Sequence, residues 1–127
     1  MASVNATERR RKILEEAWIG DAVLCLYARR RILRENGAVD GERFERMTSN
    51  RFLAAFGEPS EVEAEVGRYY EENGLEAAFL WIEQKLMALF DLQELKRSGP
   101  GMPTRASAAG RGARPTSGRK RNGGASV

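Results

Sequence analysis

The sequence predicts an all-α domain, and three observations carry the prediction. Apolar residues recur at three- and four-residue intervals through most of the first 97 residues, which is the spacing that lines one face of a helix. No run of alternating β-branched residues appears among them. Asn36-Gly37, Gly57-Glu58-Pro59 and Asn73-Gly74 supply the stops that divide the stretch into separate helices.

The first helix is expected from Thr7, a residue able to cap it, to about Glu35, with Asn36-Gly37 closing it. Gly20 in its middle marks a close approach to a neighbouring helix. A second helix is expected from Asp40 or Gly41 through Phe44, Met47, Phe52, Leu53 and Phe56, ending at Gly57-Glu58-Pro59. Pro59 or Ser60 opens a third, which carries Val62, Val66, Tyr69 and Tyr70 and stops at Asn73-Gly74. The fourth runs from Leu75 to about Leu95 with Ala78, Phe79, Ile82, Leu86, Leu89 and Phe90 inward.

With 127 residues there is enough chain for one core and too little for two. The composition, 42% hydrophobic and 31% charged, is that of a soluble protein. No apolar run approaches the roughly 20 residues that span a bilayer, so no membrane association and a cytoplasmic location are expected. There is no histidine and a single cysteine, Cys25, which excludes a histidine-based zinc site, an intramolecular disulfide, and Ser-His or Cys-His nucleophilic catalysis. Any catalysis must use carboxylates, lysines or tyrosines.

The net charge of +3 conceals an asymmetry. Residues 98–127 hold six of the 21 basic residues (Arg105, Arg111, Arg114, Arg119, Lys120 and Arg121) and none of the 18 acidic ones, which leaves the rest of the chain at −3. This segment is rich in Gly, Ser, Ala and Pro and has almost nothing to bury, so it is expected to be a disordered basic C-terminal tail. The organisation is therefore a helical domain over 7–97 followed by a tail over 98–127.

Two carboxylates stand out. Around Asp21, the positions three, four and seven residues away are Leu14, Ala17, Trp18, Leu24, Cys25 and Ala28. An ionised acid in an apolar stripe costs several kcal/mol unless a counter-charge, a hydrogen-bonding cap or a metal compensates it. Glu63 has the mostly uncharged ridge neighbours Ser60, Val66, Gly67 and Tyr70. A salt bridge to Arg or Lys for the first, and simple solvation for the second, are equally consistent with the pattern.

The run Ala17-Trp18-Ile19-Gly20-Asp21-Ala22-Val23-Leu24 resembles the hallmark helix of the ribonuclease III family. A second segment, Val62-Glu63-Ala64-Glu65-Val66-Gly67-Arg68-Tyr69-Tyr70 followed by Gly74-Leu75-Glu76-Ala77-Ala78, is similar to that family's other acidic motif. Between them, Thr48-Ser49-Asn50-Arg51-Phe52-Leu53-Ala54 is similar to its middle helix, so the resemblance covers about Ile13 to Phe90. It implies a compact ribonuclease III-like helical domain and a Mg²⁺-dependent endoribonuclease, with Mn²⁺ as a possible substitute. The substrate implied is double-stranded or structured RNA, such as ribosomal RNA precursors. Asp21 and Glu63 are then the catalytic metal ligands, and Asn50 and Ser60 support them from behind.

The resemblance also implies a two-fold homodimer in which Trp18 enters the partner, setting two metal sites across one groove for the two strands of a duplex. Two departures accompany the match. Full-length bacterial members carry further acids where Ala17 and Ser60 stand, and in having a small residue and a hydroxyl there the chain is nearer to compact Mini-ribonuclease III. The stretch from Phe56 to Glu61 is also too short for the basic loop usual at that point. The second reading is therefore a catalytically degenerate, dimeric RNA-binding or ribosome-associated module. Arg29, Arg30, Arg31 and Arg34 near the end of the first helix, together with the six tail cations, are the expected RNA contacts. Charge complementing a helix dipole is the alternative role of the helical cluster, and a solubilising extension that of the tail.

Overall fold

A computed structural model describes residues 2–98, and among these every regular element is helical. The elements are α1 (Ala2–Asn36), α2 (Gly41–Thr48), α3 (Asn50–Leu53), α4 (Pro59–Asn73), α5 (Leu75–Ile82), a π-helical turn (Glu83–Met87) and α6 (Ala88–Ser98). The tail cations Arg105, Arg111, Arg114, Arg119, Lys120 and Arg121 lie outside the described residues.

Helix α1 is the spine. At 1.5 Å per residue its 35 residues run about 50 Å. Thr7, expected to cap it, lies inside it, and the side chains from Asn5 to Lys12 are exposed, so the first turns project from the body. The helix closes where Gly37, at φ 73°, donates its N–H to the Leu33 carbonyl, the left-handed stop that glycine adopts without strain.

The expected second helix is two. Ser49 leaves the helical conformation, and its hydroxyl accepts the Phe52 N–H at 3.1 Å to begin α3. The apolar spacing runs on across this break, so a capping serine rather than periodicity decides it. Helix α4 spans Pro59–Asn73 as expected: Glu58 caps it through the Glu61 N–H, Pro59 takes a first-turn position that needs no N–H, and Gly74 at φ 92° ends it. The expected fourth helix continues to Ser98 and is interrupted by the π-helical turn.

The core forms where α1 meets α2, α4 and α5. Leu24, Tyr27, Ala28 and Ile32 of α1 pack with Met47, Phe52, Leu53, Val62 and Val66, and with Ile82, Leu86, Met87 and Phe90 of the last rod. Phe52 meets Phe90 edge-on, with centroids 6.0 Å apart, and Tyr27 meets Phe79 at 5.5 Å.

Candidate metal centre at the crossing of α1 and α4

Two glycines set the geometry of the crossing. A methyl group on Gly20 would collide with the Glu63 carbonyl, and one on Gly67 with the Glu16 carbonyl. Backbone therefore lies against backbone where residues 16–20 pass residues 63–67, closer than helices bearing side chains at the contact can approach. Each glycine follows an alanine by three residues, Ala17 and Ala64, and both alanines are buried. The approach expected at Gly20 is thus present. Gly67 is its counterpart, and the repeated small-x-x-small spacing was the sequence signal for it.

The crossing brings Asp21 and Glu63 together. The two carboxyl groups are within hydrogen-bonding reach, and the Glu63 carboxyl is pushed up to about 7, first by burial, then by its hydrogen bond with Asp21 and the Asp21 charge, with Glu58 adding to the effect. Like charges at this range cannot both ionise cheaply. Among the described residues no arginine or lysine forms an ion pair with either acid. Cys25, one turn beyond Asp21, points its Sγ at Asp21 Oδ1 (3.8 Å), and burial together with Asp21 pushes the thiol up to about 11. It is a neutral neighbour.

The expectation that Asp21 is buried in an apolar stripe is corrected. Asp21 is exposed in the single chain, because only Ala17, Leu24 and Ala28 of its apolar neighbours face the core. Leu14 is 47% and Trp18 80% exposed. The stripe is real but half of it faces outward, and Asp21 stands along its edge beside α4.

The remaining expected site residues divide. Ser60 is half-buried on the first turn of α4, three residues before Glu63, and lines a cleft against the projecting part of α1. Asn50 is exposed at the start of α3, with its backbone carbonyl accepting from Ala54 and no side-chain bond to either acid. Arg29 and Arg30 are exposed, with guanidinium groups 4.6 Å and 5.8 Å from the Phe44 and Phe79 ring centroids. Arg34 is exposed.

Arg31 is not on the surface: it is 7% exposed and bonded to Glu35 (3.0 Å) and Asp91 (2.6 Å). Three consecutive arginines on a helix point about 100° apart. Position 31 continues the inward series of Leu24, Tyr27 and Ala28, so it turns to the core. Burial works against its charge, but the bonds to Asp91 and Tyr27 outweigh that and raise its pKa. Arg31 is a structural tie and not an RNA contact.

The donor set suits a hard divalent cation. Two carboxylates without a counter-charge supply oxygen ligands, and Mg²⁺ typically takes one or two carboxylates and fills the rest of its octahedron with water and substrate phosphate. Among the described residues no third histidine, cysteine or acid joins them in a ligand cluster. No described helix is long and apolar enough to cross a membrane. Comparison with protein-family models, with curated proteins and with solved structures finds no match.

Proposed function

We propose that this chain is a Mg²⁺-dependent endoribonuclease of ribonuclease III type, acting as a homodimer on double-stranded or structured RNA. The observation that carries the proposal is the facing pair Asp21 and Glu63, held at a glycine-to-glycine crossing with no basic ion-pair partner among the described residues. Asp91 and Glu35, by contrast, are each bonded to an arginine. Burial and the neighbouring carboxylate disfavour the charged form of Glu63, and a divalent cation bound there would supply the missing counter-charge.

When bound there, Mg²⁺ would acidify a water and offset the charge that develops on the phosphate. The chain's own contribution is positional. The close crossing fixes both carboxylates on rigid helices, Ser60 presents a hydroxyl on the first turn of α4, and Cys25 and the buried alanines keep the flank of the site free of competing charge.

The dimer reading rests on the outer face of α1, where Leu14, Trp18, Ala22 and Leu26 recur every fourth residue and all are exposed. A tryptophan 80% exposed within an apolar line is the kind of anchor that interfaces bury. A second copy covering this line would also bury Asp21 and complete the enclosure of the site.

The test is cleavage of a long duplex RNA with Mg²⁺ by the parent chain, Asp21→Asn and Glu63→Gln. Cleavage by the parent, with losses of at least about a hundredfold in both variants, is expected. Equal activity in all three, or RNA binding by the parent without cleavage, would overturn the nuclease reading, and the latter would favour a binding module.

A further inference from the structure

Asp21 and Glu63 present negative charge to a substrate that is itself a polyanion, so some other part of the surface must attract it. The arginines at the far end of α1 are poorly placed for this. Arg31 is buried and paired, Arg29 and Arg30 rest over aromatic rings, and Arg34, thirteen residues beyond Asp21, falls on the opposite side of the helix at 100° per residue.

The projecting N-terminal turns differ. Arg11 is engaged by Glu8 at 3.0 Å, whereas neither Arg9 nor Arg10 has an acid within ion-pairing distance among the described residues. Arg10 precedes Asp21 by eleven residues, which brings it within about 20° of the same face and about 16 Å along the axis. Both arginines line an open cleft of about 270 Å³ between α1 and the start of α4, with Ser60, Glu58 and Glu61 on the opposite wall. Glu58 is held by the Glu61 N–H it caps, and both acids sit where the N-terminal dipole of α4 offsets part of their charge.

We infer that Arg9 and Arg10 form a phosphate-binding arm that receives the backbone of the duplex RNA one end away from the acid pair, an inference that rests on the function proposed above. The arm is rigid because it is helical, and a guanidinium grips a phosphate through two parallel hydrogen bonds. It places the Arg10 charge in line with Asp21, with Arg9 beside it on the cleft, without bringing a cation close enough to neutralise the two acids, which a metal site requires.

The test is binding of a long blunt-ended duplex RNA to the full chain, without divalent cations, across a salt series. In Arg9→Gln/Arg10→Gln the slope of log affinity against log salt should become shallower by about 1 to 2, with affinity falling about tenfold at moderate salt. Arg9→Lys/Arg10→Lys should keep the parent slope, and thermal melting of both variants should match the parent, since both side chains are exposed. Unchanged affinity and slope in the glutamine variant would overturn the arm while leaving the nuclease reading intact. A parent chain that binds no duplex RNA would overturn both, and one that binds through these arginines yet never cleaves with Mg²⁺ would overturn the nuclease reading alone.

Discussion

Around the C-terminal part of α1 and the helices packed on it, several acids have hydrogen-bonding or ion-pair partners. Arg31 holds Glu35 and Asp91, Arg43 also holds Glu35, the Tyr27 hydroxyl donates to Glu83 Oε2 at 2.9 Å, and Arg46 holds Glu94 at 2.8 Å. Glu35 shows the consequence: burial opposes its charge, but the bonds from Arg43 and Arg31 hold its carboxyl below the usual range. Midway along the same helix, Asp21 and Glu63 face each other with no arginine or lysine in ion-pairing distance among the described residues, and Glu63 moves the opposite way, up to about 7. Under the proposed function, the second arrangement is the one a divalent cation would compensate.

The largest effect is expected at the crossing itself. Gly20→Ala or Gly67→Ala should cost about 4 kcal/mol or more, because the new methyl meets backbone and not a movable side chain. Gly41→Ala, with open space around it, should change stability by less than about 0.5 kcal/mol in the same urea titrations.

Arg31→Met tests the region of partnered acids. It should destabilise by about 2 kcal/mol in urea unfolding, below the usual cost of breaking a buried pair because Glu35 and Asp91 retain solvent. RNA affinity should be unchanged.

Glu63→Gln should have the opposite sign. It removes the like-charge contact and should stabilise the metal-free protein by about 1 kcal/mol, after discounting for solvent near the half-buried group. A carboxyl raised in the folded state loses stability as pH rises from its unfolded value of 4.5 through about 7. The gain should therefore be present at pH 8 and absent below pH 4.5, as read by melting temperature.

Much of this was legible in the sequence where a local signal settles the matter. Pro59 and Asn73-Gly74 bound α4 because their backbone chemistry permits little else, and Gly20 announced the crossing because a glycine inside a helix needs a reason. The break at Ser49 was hidden beneath apolar spacing that continues through it. The π-helical turn was hidden because a change of hydrogen-bond register over five residues has no marked composition. Asp21 was misjudged more instructively. Its apolar neighbours imply burial, yet Leu14 and Trp18 belong to a second stripe that is exposed among the described residues. Arg29 to Arg31 form one basic run in the sequence, but the series from Leu24 through Tyr27 and Ala28 assigns position 31 to the interior.

The contrast between the partnered acids and the pair Asp21 and Glu63 is tested most directly by thermal melting of the full chain against Mg²⁺ and Mn²⁺, in the parent, Asp21→Asn, Glu63→Gln and Arg31→Met. A cation that binds only the folded state raises the melting temperature with its concentration, by about 2.7 kcal/mol of stability at a hundred times its dissociation constant. The parent and Arg31→Met should show that rise, and Asp21→Asn and Glu63→Gln should be flat. An equal rise in all four, or none in any up to millimolar cation, would contradict a metal shared between Asp21 and Glu63.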